Sequence, residues 1–135
     1  MAKYEQSTEM AELGWSVIRE HPDLAWIEQA GVGIGFLVST VAKKSKGRPV
    51  LGECRVVKDP YIPFTPYDFL ITIFVQNTEG LTEEQMRILM YHELLHVGMD
   101  DKTGEPKYKV TPHDVEDFRA VIDQYGTDWA VVSGG

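Results

Sequence analysis

The segment 82–97 constrains this chain more than any other, because it reads as a helix that is apolar almost all round. Met86, Leu89, Met90, Leu94 and Val97 cover one broad face, while Ile88 and Leu95 lie on another. A helix of that character belongs inside a domain, with other elements packed around it. Thr82 opens it, with Glu84 and Gln85 in the first turn as a capping-box arrangement, and Gly98 is placed to stop it. Glu93 nevertheless falls in the middle of the broad face, between Leu89, Met90 and Val97. A buried carboxylate without a partner is strongly unfavourable, so this position demands an explanation.

The flanking residues supply one. Glu93 sits in Tyr91-His92-Glu93-Leu94-Leu95-His96. Residues four apart on a helix lie one above the other, so His92 and His96 can reach one metal ion. A divalent cation would stabilise the charged form of Glu93 and give it a bound water to contact. This H-E-x-x-H pattern usually means zinc-dependent peptide hydrolysis, with the glutamate as general base. The bland alternative makes His92 and His96 core histidines satisfied by carbonyls, with Glu93 ion-paired. The whole pattern, on one buried helix, favours the metal.

A catalytic zinc site has three protein ligands and an open position for water, so a third donor must come from elsewhere. Met99 and Lys102 stand where the metzincin extension needs glycine and histidine, which excludes that class. Apart from His21, far upstream at a helix break, His113 is the only other histidine, and it is the preferred third ligand. Glu116 and Asp117, three and four residues along and on the same face, compete for the role or orient His113. An oxyanion partner is open: Tyr108 is the first candidate and Tyr91 a weaker one, with ordinary packing the competing role for both.

Around this helix the chain predicts one α+β domain spanning 1–135. A helix over 8–20 carries Met10, Leu13, Val17 and Ile18 as an apolar stripe. Pro22 interrupts it, and 22–29 continues as a short helix with proline in its first turn. Gly31, Gly33 and Gly35 lead into a strand over 34–42; their spacing does not fit a dinucleotide fingerprint. A turn at Ser45-Lys46-Gly47 and a strand over 50–57 predict a hairpin. Pro60, Pro63 and Pro66, interleaved with Tyr61, Phe64, Tyr67 and Phe69, form an irregular, partly apolar loop. The clearest strand covers 70–75. It is either an ordinary core strand or an edge strand beside the cleft, where a substrate peptide could pair with it. A polar loop over 100–109 precedes a last helix that starts at Thr111-Pro112 and ends at Gly126; the tail from about 130 is expected to be disordered.

Composition narrows the partners. The formal charge of −8 argues against a nucleic-acid surface, which needs clustered cations. The one basic cluster, Lys43, Lys44, Lys46 and Arg48, falls on the expected hairpin tip. The single Cys54 excludes an internal disulfide and a multi-cysteine zinc site, and in its strand it reads as a buried structural thiol. No apolar run approaches the roughly 20 residues that cross a bilayer, and the polar first residues lack a secretory h-region. The expected location is the cytoplasm, and the expected partner is a protein or peptide substrate.

His92-Glu93-Leu94-Leu95-His96, followed by Pro112-His113-Asp114-Val115-Glu116-Asp117-Phe118 and Tyr125-Gly126-Thr127-Asp128-Trp129, resembles the phage metallopeptidase family, small prophage-associated proteins related to the SprT-like zincins. The resemblance covers the C-terminal half well and the strand segment loosely. It implies Zn2+ on His92, His96 and His113, Glu93 as catalytic acid/base, and a small zincin-like sheet packed on the metal-bearing helices. SprT-like members act on protein bound to DNA and commonly carry a Cys-rich zinc ribbon or basic extension; this sequence shows neither, so a DNA-linked role is not expected. Two other functions fit the residues: a non-catalytic binding module whose zinc site is closed by a fourth ligand such as Glu116, and a zinc amidohydrolase acting on a non-peptide amide.

Overall fold

The computed structural model describes residues 3–100 and 107–110. The helix expected from Thr111, with His113, Glu116 and Asp117, and the tail lie outside the described residues. The described part is α+β.

The chain opens with strand β1 (Tyr4–Gln6) and helix α1 (Thr8–Glu20). Ser7 caps α1, its hydroxyl accepting from the Met10 amide at 3.1 Å. Pro22 stops α1 as expected, opening a 3-10 turn (Pro22–Leu24) and the short helix α2 (Ala25–Gln29). Strand β2 (Ile34–Ser39) follows, then the small ribbon of β3 (Lys44–Ser45) and β4 (Arg48–Pro49), then β5 (Gly52–Val56). After the proline-rich loop come β6 (Phe69–Phe74), the single turn α3 (Val75–Thr78) and the motif helix α4 (Glu83–Leu95). The expected capping box opens α4: Thr82 Oγ1 accepts from the Gln85 amide at 3.1 Å, and Gln85 Oε1 accepts from the Thr82 amide at 2.9 Å. Strands β7 (Val97–Asp100) and β8 (Lys107–Val110) pair behind it.

The main sheet has the order β1-β2-β6-β5, with β6 parallel to β2 and antiparallel to β5. This order corrects one expectation and decides between two readings of another segment. The strands around 34–42 and 50–57 do not form a hairpin with each other; β6 inserts between them, and only the ribbon at Lys46-Gly47 turns as a hairpin. The segment 70–75 is therefore an interior strand, and the edge beside α4 belongs to β5. The residues explain the exchange. Phe69, Ile71, Thr72, Ile73 and Phe74 are all buried, a pattern suited to neighbours on both sides, whereas β5 carries Glu53 and an exposed Arg55 that an edge tolerates. Strand β1, three exposed residues, has no apolar signal of its own and forms by pairing with β2.

Two further corrections lie at the end of α4. The helix closes at Leu95 with His96 as its cap, and Val97 and Gly98 enter a strand. The segment expected as a polar loop over 100–109 contributes β8, which pairs Val97 with Val110 and Met99 with Tyr108. Pairing with the next strand along the chain outweighs the helical period of the last turn.

Register places Ile34, Phe36, Phe69, Ile71 and Ile73 on one sheet face, together with Gly52, Cys54 and Val56. Val17 and Ile18 of α1 and Ile88, Leu89, Met90 and Leu94 of α4 pack into the same core. The contact is close: a Cβ on Gly14 of α1 would meet the Phe36 ring at 2.3 Å. The layer of helices thus holds α4 rigidly across the sheet, with its last turns over the edge strand.

Candidate metal centre

Helix α4 brings His92 and His96 together as the spacing predicts. Their ring centroids are 5.3 Å apart and their planes cross at 75°. His96 keeps helical geometry (φ −74°, ψ −19°) although it caps the helix, so the one-turn relation survives the early end of α4. Both imidazoles are half-buried.

Glu93 is only 4% exposed, as its place on the apolar face requires. Its carboxylate lies against the backbone of β5, where the strand has no side chain. A Cβ at Gly52 would come within 3.3 Å of both Cγ and Oε2 of Glu93, and within 3.2 Å of the Thr72 carbonyl. Gly52 is a site residue that sequence reasoning missed. A glycine inside a strand pattern marks close approach of another group, and that was the available signal. Cys54, two residues along the same face, is largely buried; burial, and then the nearby Glu93 charge, push its thiol far above the ordinary range. It stays protonated, in keeping with a structural role.

Tyr91 turns to the other side of α4. It is fully buried, its hydroxyl donates to Asp23 Oδ2 at 2.6 Å, and its ring stacks on His21 at 3.9 Å and 16°. His21 in turn donates from Nδ1 to the Val17 carbonyl at 2.9 Å. These contacts tie the break between α1 and α2 to the turn that carries His92. The ring and hydroxyl of Tyr91 are thus engaged in packing. Tyr108 lies edge-on to Phe69 at 5.5 Å, and burial followed by the Asp68 charge raise its hydroxyl pKa. Phe69 pairs with Val56, so Tyr108 sits at the opposite end of β5 from Gly52 and Glu93.

Among the described residues no three His, Cys, Asp or Glu side chains form a complete metal site. His113, Glu116 and Asp117 are outside the described residues, so the described arrangement supplies two imidazoles and an adjacent buried carboxylate. Two imidazoles one helical turn apart are a donor pair suited to zinc, which takes nitrogen ligands at about 2.0–2.1 Å in tetrahedral geometry. No helix among the described residues is long and apolar enough to cross a membrane.

Comparison with curated proteins and with solved structures gives no match. A family model described as "Putative phage metallopeptidase" matches residues 2–133, which includes the strands and the N-terminal helix as well as the motif. The chain belongs to this phage metallopeptidase family.

Proposed function

We propose that the protein is a zinc-dependent peptidase in which His92, His96 and His113 hold the metal and Glu93 moves the proton. The observation that carries this reading is the juxtaposition on α4: two imidazoles one turn apart, beside a carboxylate buried against the glycine of an edge strand. A buried ionisable group beside a pair of side chains suited to a metal is an arrangement that clusters at functional sites.

When bound, a divalent cation supplies Lewis acidity, lowering the pKa of water to about 7 and polarising a carbonyl. The remaining work falls to the protein. Glu93 accepts the proton of the attacking water and delivers it to the leaving amine. The wall of α4 and the sheet keep its carboxylate in one position, so little reorganisation accompanies the transfer. Strand β5, the outer strand among the described residues, offers backbone groups with which an extended substrate can pair. That assigns the substrate edge to β5 instead of the segment 70–75. Backbone pairing gives affinity with little dependence on sequence near the scissile bond.

The test is Glu93→Gln. The substitution keeps size and hydrogen bonding but cannot accept the proton. Hydrolysis of a protein substrate should fall by at least about 100-fold, while bound zinc is unchanged. Cleavage at the wild-type rate by this variant would remove Glu93 from the mechanism.

A further inference from the structure

The corner between α1 and α2 is held rigidly before α4 meets it. Proline restricts the residue before it to extended backbone, and His21, ahead of Pro22, takes φ −113° and ψ 111°. Its imidazole is tied down as well, donating from Nδ1 to the Val17 carbonyl at 2.9 Å. On the other side of the corner Leu24 and Ile27 are sunk in the core. Backbone, ring and flanks of His21 are thus all fixed.

Two side chains of α4 engage this corner and the end of α1. Arg87 pairs with Glu20 at 2.6 Å and donates to Ser16 Oγ at 3.1 Å. One turn on, the Tyr91 ring lies face to face on His21, with centroids 3.9 Å apart and planes within 16°, while its hydroxyl donates to Asp23. Of the two Tyr91 contacts the stack is the stiffer, because Asp23 is exposed whereas His21 is half-buried and hydrogen-bonded. Arg87 and Tyr91, four apart, belong to one ridge of α4, and His92 and His96 form the ridge beside it.

Resting on the zinc centre proposed above, we infer that His21 is a positioning residue for it: the ring stacked on Tyr91 fixes the rotation of α4, and with it the direction of the His92 and His96 imidazoles. Magnitudes decide that this matters. Side chains reach about 5–6 Å from a helix axis, so a turn of about 10° carries an imidazole about 1 Å. Metal–ligand distances tolerate only about 0.2 Å. Leu89, Met90 and Leu94 hold α4 in the core, but apolar attraction has no direction of its own. A stacked ring pair does have a preferred geometry, and this one sits one residue from the first imidazole.

The test compares wild type with His21→Leu, His21→Phe and Ser7→Ala, each shown to be folded by circular dichroism. Two readouts need no substrate. One is zinc affinity, by competition with a chromophoric chelator; the other is the visible absorption of the Co2+-loaded protein, which reports ligand geometry. His21→Leu fills the space without a ring, so zinc should bind about 10-fold more weakly, the low end for residues that orient ligands, and the Co2+ bands should shift. His21→Phe restores a flat ring and should return both readouts to wild-type values. Ser7→Ala removes the cap of the same helix away from the corner, and should lower stability while leaving both readouts unchanged. His21→Met takes the place of His21→Leu if the latter does not fold. Wild-type affinity and bands in the variant without a ring overturn the positioning role. So does a loss that His21→Phe fails to recover, or an equal loss in Ser7→Ala, which would reduce His21 to general stability. Each of these leaves the zinc centre standing, whereas a wild-type protein that takes up neither zinc nor Co2+ overturns both.

Discussion

Gly52 on the edge strand and Glu93 on the motif helix are fitted to each other: a single methyl group on Gly52 would stand 3.3 Å from the Glu93 carboxylate. The Thr72 carbonyl on the other side, at 3.2 Å, is backbone and cannot give way. A side chain at 52 therefore has to move the carboxylate. Gly52→Val should lower kcat by about 10- to 100-fold, because small misplacement of a reacting group is costly. KM and zinc content should change little, and a β-branched residue suits a strand, so the fold is retained. Steady-state kinetics with zinc analysis checks this; unaltered kcat in a folded Gly52→Val protein would show that strand β5 does not set the position of Glu93.

Tyr91 precedes the first motif histidine, yet its hydroxyl is committed to Asp23 at 2.6 Å. Tyr91→Phe removes one hydrogen bond to a carboxylate, and Asp23 is exposed and can rehydrate. The expected cost is about 1 kcal/mol of stability, read from urea unfolding, with kcat unchanged. A large fall in kcat at unaltered stability would instead give Tyr91 a place in the reaction.

Glu53 titrates in a way that can be followed. Burial raises its pKa, but the hydrogen bonds from Lys43 at 2.6 Å and Arg55 at 3.1 Å outweigh it, and the net shift is downward. A carboxyl with a depressed folded pKa contributes stability that is present above its unfolded value, about 4.3, and is lost as pH falls through the folded value. The stability gap between wild type and Glu53→Gln should hold from pH 7 to 5 and shrink below pH 4. Its size should be under about 1 kcal/mol, since both cations are substantially exposed. Urea unfolding at several pH values checks the trend; a gap that widens on acidification would contradict it.

Local signals carried much of the reading. Pro22 ended the first helix, Thr82 and Gln85 started the motif helix, and the spacing of His92 and His96 put both rings on one turn. What the sequence concealed was strand pairing. Tyr4–Gln6 and Lys107–Val110 are short and polar enough to pass for loops, and each becomes a strand only against a partner. The place of Phe69–Phe74 in the middle of the sheet depends on which strand flanks it, and an apolar run looks alike at an edge or in the interior. A glycine in the strand at Gly52 signalled a close approach, but the approaching group, Glu93, is 41 positions away and could not be named from the sequence. The last helix, with His113, Glu116 and Asp117, lies outside the described residues and rests on the spacing and the resemblance.

Elemental analysis of the purified, folded protein tests the centre directly. The account predicts about one zinc per chain, lost in His92→Ala, His96→Ala and His113→Ala while circular dichroism still reports a folded domain. Full zinc content in His113→Ala alone would move the third ligand to Glu116 or Asp117. Full content in His92→Ala and His96→Ala, or a wild-type protein that takes up no divalent metal, would contradict the account.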